Sequence, residues 1–512
     1  MRREAYYSKP KVLILVVIIY CFVIDGLSGL GGSSECRVPQ SEFEALVRST
    51  ISVVRKVADV VSLFSTDFQL KDAATDCFEM MDSTVDLLTS VLSLSKIPNE
   101  IYTGNDVHGT GDSISDMKCW LSGALVNQVT CKEGFDGTNS HLQTLISSDL
   151  DHITSALTKL VSMIKPSRKP VPKGKFLDWL KSRDQKLLQA PGSLVADVVV
   201  ATDDTGNFTS ITAAIQAAPE RSRTRFVIYI KRGVYKEYID NIDNKKWNIM
   251  LVGDGMDATI ITGDHSNATD WRTYKSATFH TKGVGFIARD ITFENTAGPE
   301  EGQAVAFHFE SDLSVLYRCG FRGFQDTLYA HTCRQFYREC KITGTVDFIF
   351  GHGTAVFQNC EIVARKGLPG QKNVVTAQSQ PNLDYNSGFS IQFCNITGEP
   401  DLVASVGSNP TYLGRPWSIY SRTIVMQSYI SDVVMTEGWL EMEGTTKTDS
   451  LYFGEYMNYG SGAGLSGRVK WAGYHVINDP DEAEKFTVAQ FLISGDQWLP
   501  STGVKYTRGL GI

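Results

Sequence analysis

The sequence predicts an all-α helical bundle followed by an all-β domain built as a parallel β-helix. Three observations carry this. From Glu42 to Ile164 apolar residues recur at helical spacing, as in Phe43, Leu46, Val47, Ile51, Val54, Ala58 and Val61, and again in Leu142, Leu145, Ile153, Leu157, Leu160 and Ile164. Beyond Gly192 the pattern changes to short β-rich runs such as Arg225-Phe-Val-Ile-Tyr-Ile, divided by Gly, Asn and Asp turns. Within that region a degenerate repeat appears: Leu316-Tyr-Arg-Cys-Gly-Phe, Phe336-Tyr-Arg-Glu-Cys-Lys-Ile, Phe357-Gln-Asn-Cys-Glu-Ile and Ile391-Gln-Phe-Cys-Asn-Ile. A period of about 20 to 25 residues with apolar β segments makes each repeat one coil, stacked on the last at about 4.8 Å.

The 512 residues are 42% apolar and 21% charged, which excludes wholesale disorder, a coiled coil and a multispan membrane protein. A net charge of -8 leaves little field for phosphates, so nucleic acid is not an expected partner.

Residues 1–29 read as a signal peptide or a signal anchor. Arg2, Arg3, Lys9 and Lys11 precede the apolar run Val12 to Ile24, which is short of the ~20 residues a span requires. Secretion makes the sequons at Asn207, Asn267 and Asn395 glycosylation candidates. Of the ten cysteines, Cys21 lies in the leader, which leaves an odd number. No zinc spacing is present and no metal site is expected, so disulfides are the better reading.

The bundle is assigned to 36–164. Cys77 and Cys131 lie on different predicted helices and can staple them, with Cys36 and Cys119 remaining; sequence alone leaves the connectivity open. Residues 165–191 form a linker rich in proline and basic residues, with a candidate processing site at Lys186-Leu187-Leu188. The β-helix is assigned to 192–512, with one short helix expected from Thr209 to Ala218. Stacking brings Cys340 within disulfide reach of Cys360, although a stack of reduced cysteines fits as well.

The same period organises the polar residues. Gln303, then Gln325 and Asp326, then Asp347 are about one coil apart and are expected on one face. Asp347 sits in the apolar run Val346 to Phe350, where an ionised carboxylate needs a partner. Two carboxyls about 5 Å apart at an effective dielectric of about 20 interact by roughly 3 kcal/mol, enough to leave one protonated and one ionised. Such a pair supplies an acid and a nucleophile or base, and nearby amides can hold an oxyanion. Spacing does not separate ester from glycoside hydrolysis. In Leu413-Gly-Arg-Pro-Trp417, Arg415 can clamp a carboxylate and Trp417 can stack on a sugar.

The motifs Gly302-Gln-Ala-Val-Ala, Gly323-Phe-Gln-Asp-Thr-Leu-Tyr, Arg334-Gln-Phe-Tyr-Arg, Gly344-Thr-Val-Asp-Phe-Ile-Phe-Gly and Leu413-Gly-Arg-Pro-Trp together resemble a plant pectin methylesterase (pectinesterase), over about Asp197 to Pro500. The bundle, with Asp76-Cys77, Trp120-Leu-Ser-Gly-Ala-Leu and Thr130-Cys131, is similar to the inhibitor domain that many such enzymes carry as a pro-region. The resemblance implies a right-handed parallel β-helix behind a four-helix bundle. It implies a secreted, monomeric cell-wall enzyme that needs no cofactor and demethylates homogalacturonan to methanol and pectate.

Carried over by motif, Asp347 is the nucleophile and Asp326 the proton donor and later base. Gln325 and Gln303 stabilise the oxyanion, Arg415 orients Asp347, Trp417 packs on a galacturonate ring, and Thr273 helps bind substrate. The partners implied are pectin, the chain's own pro-region or a separate inhibitor protein, and a processing protease. Departures are also legible. His352 stands where the family commonly has Asn and introduces a second titrating group beside Asp347. Cys119 and Cys333 are unusual for their positions, and only one basic residue precedes Leu187-Leu188 where a dibasic site is typical. Backbone scission of the polymer and a purely binding role are the competing readings; the first predicts new chain ends, the second no methanol.

Overall fold

The computed structural model describes residues 40–97, 109–136, 138, 141–164, 195–443 and 447–511. The leader, Cys36, the linker and the Lys186-Leu187-Leu188 site fall outside them.

Among the described residues, four helices form the N-terminal part: α1 (Gln40–Ser62), α2 (Lys71–Leu94), α3 (Ser113–Glu133) and α4 (His141–Met163). In α1 the apolar stripe Val47, Ile51, Val54, Ala58 and Val61 is buried, as the spacing predicts. Helix α3 starts at Asp112, whose carboxylate accepts from the amides of Ile114 and Ser115 and so satisfies two otherwise unpaired donors. Unlike its neighbours, α3 is buried on nearly all sides, including Asp116, Cys119, Trp120, Gly123, Asn127 and Thr130. The reason is position: one side meets the bundle core and the other meets the β domain. A disulfide joins Cys77 on α2 to Cys131 on α3.

Among the described residues, the β domain is a parallel β-helix of three sheets with 11, 7 and 8 strands. A short helix, Ile211–Ala217, lies within the range expected for it. The repeat that announced the fold marks one corner of each coil. A single residue in the left-handed region turns the chain, at Arg318 (φ 50°), Glu339 (φ 54°), Asn359 (φ 56°) and Phe393 (φ 56°). The next residue, Cys319, Cys340, Cys360 or Cys394, is buried in the core just before the following strand. Left-handed geometry costs a non-glycine residue about 1–2 kcal/mol, so its recurrence on successive coils means the stack imposes it.

These corner cysteines correct one reading. Cys340 and Cys360 are free buried thiols, the reduced stack and not the disulfide. The Cys340 thiol donates to Leu316 O at 3.4 Å and that of Cys360 to Tyr337 O at 3.6 Å, each reaching back to the preceding coil's backbone. The bore beside them is filled by stacked rings, with Phe279 and Phe307 5.0 Å apart and Tyr337 and Phe357 4.5 Å apart.

An all-β domain to the C-terminus is only part of the picture. Short helices Pro480–Glu484, Val488–Phe491 and Gly495–Thr502 close the chain. Phe486, Val488, Phe491, Trp498 and Leu499 cover the outward row Val315, Phe336, Val356 and Ile424 of the 11-stranded sheet. An apolar outer face needs such a cover, and these helices are too short to announce themselves by periodicity.

Candidate functional site

The seven-stranded sheet carries the site. Its strands are β1 (Ile239–Ile242), β2 (Phe279–Thr281), β3 (Phe307–Phe309), β4 (Leu328–Ala330), β5 (Ile349–Gly351), β6 (Asn373–Gln378) and β7 (Thr411–Pro416). Parallel register puts His308, Tyr329, Phe350, Ala377 and Arg415 in one row across β3 to β7.

Asp326 lies two residues before Leu328 and Asp347 two residues before Ile349, and those residues are paired partners. The two carboxylates therefore occupy equivalent positions on consecutive coils. Both sit in the left-handed region, at φ 62° and 50°. The Gly-x-x-Asp spacing explains how the turn is made. A Cβ on Gly323 would lie 2.7 Å from Thr327 Oγ1, and one on Gly344 would lie 2.2 Å from Phe348 Cβ. Only glycine lets the chain fold back so tightly before each aspartate.

Arg415 projects from β7 and donates to Asp347 through both edges of its fork, Nε to Oδ1 at 2.8 Å and Nη2 to Oδ2 at 2.6 Å. Asp326 and Asp347 are each only 7% exposed. Burial, followed by the charge of Asp347, pushes Asp326 well above the ordinary carboxylate range. Burial also raises Asp347, but here Arg415 opposes it through hydrogen bonding and charge. The pair is thus arranged to hold its proton on Asp326 and its charge on Asp347.

Asp326, Asp347, Gln303, Gln325, Thr273, Arg415 and Trp417 all line one cavity of about 420 Å³. The structure brings together every polar residue expected at the site. Trp417 tilts against Phe350 at 6.0 Å and His352 at 4.8 Å. His352 does not act as the second titrating group that the sequence suggested. It is 2% exposed, and burial followed by the neighbouring His331 holds its pKa well below 6.5, so it stays neutral near pH 7. Asn207, Asn267 and Asn395 are exposed, with Asn267 at the lip of the same cavity.

The other wall of the cavity belongs to the bundle. Ala73, Asp76, Met80, Thr130, Glu133 and Gly134 face the aspartates across it. Tyr329, Phe350 and Ala377 of the site's own sheet are buried in one apolar cluster with the bundle core. Polar bonds fasten the two parts: Thr130 Oγ1 and His331 Nε2 are 2.9 Å apart, Lys282 binds Glu79 at 2.9 Å, and Arg272 donates to Gly134 O. Arg334, fully buried, bridges Asp116 of α3 at 2.8 Å and Asp312 of the β-helix at 2.6 Å.

Sequence reasoning quoted Asp76 and Thr130 within motifs but gave them no place in the site. Asp76 is 2% exposed, and burial, opposed by Arg272, raises its pKa to about 7. Glu133 is likewise raised to about 7 by burial. An acidic residue beside a helix-stapling cysteine was the available signal, and only docking gives it meaning.

Residues 197–496 match the family described as Pectinesterase, and residues 30–164 match the family described as Plant invertase/pectin methylesterase inhibitor. A pectinesterase/pectinesterase inhibitor of Prunus persica is 53% identical over 98% of this chain and 97% of its own length. A probable pectinesterase/pectinesterase inhibitor of Arabidopsis thaliana is 49% identical over 96% of this chain and 99% of its own. Among solved structures, a pectin methylesterase from carrot is 48% identical with a TM-score of 0.61, covering 63% of this chain and all of that one. A pectin methylesterase in complex with a hexasaccharide is 28% identical with a TM-score of 0.51, covering 59% of this chain and 98% of that one.

Proposed function

Because the chain belongs to the pectinesterase family and carries a pectin methylesterase inhibitor domain ahead of its β-helix, we propose that its two aspartates hydrolyse the C6 methyl esters of homogalacturonan by a covalent route. The observation that carries this reading is the two-point grip of Arg415 on Asp347 beside a carboxyl, Asp326, that burial keeps protonated.

Asp347, oriented by Arg415, attacks the ester carbonyl. The amides of Gln303 and Gln325 hold the oxyanion as charge develops on it. Asp326 gives its proton to the departing methoxide, and methanol leaves with an acyl-enzyme on Asp347. The Asp326 carboxylate then takes a proton from water, whose oxygen adds to the acyl carbon. Collapse frees the galacturonate carboxyl and regenerates both aspartates. Trp417 offers its face to a sugar ring, and Thr273 bounds the substrate side of the cavity.

Atoms balance in this scheme with water alone, so no cofactor enters it. The relatives from Prunus persica and Arabidopsis thaliana are named as pectinesterases, which supports action on pectin outside the cell, after removal of residues 1–29, with Asn207, Asn267 and Asn395 glycosylated. Residues 36–164 then serve as a pro-region: with Asp76, Met80 and Glu133 over the aspartates, a polymer cannot reach Asp347 until the bundle departs. Cleavage within 165–191, at Lys186-Leu187-Leu188 or nearby, is one step of that release, separating 192–512, the enzyme, from the pro-region along the chain.

The test is methanol and reducing-end release from highly methylated pectin by residues 192–512, by the full secreted chain and by Asp347→Asn. Methanol without new chain ends, abolished in the variant and slower in the full chain, is the expected result. New chain ends without methanol would overturn the reaction assignment.

A further inference from the structure

Helix α3 lays a cysteine against a cysteine of the other domain. Cys119, on α3, and Cys333, in the turn before the strand Arg334–Arg338, are both unbonded and buried, 2% and 7% exposed. Their sulfurs and a carboxylate oxygen of Asp312 all lie within 4.8 Å of one another. A disulfide holds its sulfurs at about 2.05 Å, so bond formation has to draw the two sulfurs closer together.

The surroundings hold both cysteines in register. Arg334, next to Cys333, binds Asp116, one turn before Cys119 on α3. Asp312 accepts from Arg334 at 2.6 and 3.0 Å, from Trp120 Nε1 at 3.2 Å and from the Cys119 thiol at 3.6 Å. Gly123, one turn beyond Cys119, makes the approach possible: a Cβ there would lie 3.3 Å from Cys333 Sγ and 3.2 Å from Leu87 Cδ1. Cys333 itself has φ 64°, a conformation that suits Gly or Asn better than a cysteine.

We propose that Cys119 and Cys333 form a disulfide that ties the pro-region to the β-helix independently of the linker. A cation is the poorer occupant of this corner, because Asp312 is already engaged by Arg334 and Trp120, and hydrogen bonding with Cys333, followed by burial, favours the neutral Cys119 thiol. The oxidant is a small-molecule or protein disulfide, of the kind an oxidising secretory compartment contains. One cysteine thiolate attacks that disulfide and expels the first thiolate. The second cysteine, deprotonated, attacks the mixed disulfide and expels the other. Two electrons pass from the cysteine pair to the donor, and two protons are released to the donor thiols. A cavity of about 280 Å³, lined by Cys333, Thr332, Trp120 and Asp312, lies beside the pair.

The functional consequence rests on the reading of the bundle as a cover over the esterase site. Cutting the linker would then leave the bundle in place until the disulfide is reduced, so release needs two events. A tether of this kind keeps the bundle at an effective concentration in the millimolar range.

The experiment is to secrete the full chain with a protease site inserted after Lys175, cut it, and separate the fragments under denaturing conditions. Without reductant the two fragments migrate together; with reductant they separate. Cys119→Ser and Cys333→Ser separate without reductant. The Cys77–Cys131 bond lies within the bundle fragment and cannot hold the two together. Peptide mass mapping of the unreduced wild-type protein, which needs no variant to fold, finds Cys119 joined to Cys333. Both cysteines alkylated without prior reduction, or Cys119 joined to Cys36, overturns the proposal. Methanol release is the separate readout for the cover: mild reductant raises it at least about tenfold in cut wild-type protein and not in cut Cys119→Ser. A tie on the gel without that rise would uphold the disulfide and sink the cover.

Discussion

Replacing Arg415 tests whether it acts through Asp347. The two charges are held by bonds of 2.8 and 2.6 Å, with side chains 24% and 11% exposed. At about 4 Å between charge centres and an effective dielectric of about 20, the attraction is about 4 kcal/mol. Partial exposure and screening reduce this to about 2 kcal/mol. Asp347 is already raised by burial with Arg415 opposing, so Arg415→Ala favours its protonated form further.

The ionised form is the nucleophile, so activity is lost from the acid side. A change of about 2 kcal/mol corresponds to about a 30-fold fall in kcat/KM on the acid limb. The deficit shrinks as pH rises and Asp347 ionises. Arg415→Lys keeps the charge and loses the fork, so it falls between the two. The assay is methanol release by residues 192–512 across pH, with far-UV circular dichroism to verify folding. An equal loss at every pH would refute the reasoning and make Arg415 a substrate contact alone.

Three further predictions follow from the same geometry. Asp326→Asn mimics the protonated acid in shape but cannot transfer its proton, so kcat falls by about 10²–10⁴ while urea stability is unchanged; a comparable loss of stability would mean a packing role instead. Asp76 and Glu133 have folded pKa values raised to about 7 by burial. Their stabilisation of the docked bundle is therefore fully present below the ordinary carboxylate range and is lost as pH rises through about 7. Hydrogen exchange at Tyr329 and Phe350 in the full chain should quicken over that interval, and Asp76→Asn with Glu133→Gln should flatten the change. Removing the Cys77–Cys131 bond, which spans 54 residues, by Cys77→Ser with Cys131→Ser should destabilise the bundle by about 3–4 kcal/mol in urea unfolding. An unchanged midpoint would show that packing alone holds α2 on α3.

The sequence by itself determined the elements and their stacking. Period-3.6 and coil-length repeats are set by local backbone geometry, so the α1 stripe and the corner cysteines could be read directly, and with them the face shared by Asp326 and Asp347. The glycines at 323 and 344 belong to the same local code, since each tight turn needs a missing Cβ within the motif itself. Tertiary structure decided what no period encodes. The union of Arg415 with Asp347 joins residues 68 apart in sequence, and the meeting of Cys119 with Cys333 depends on how two separately folded surfaces dock. Asp76 acquires a raised pKa and His352 a lowered one only because the packed molecule buries them away from water. Desolvation and distance are properties of the packed molecule, and those two quantities turn the aligned residues into a candidate site with a cover.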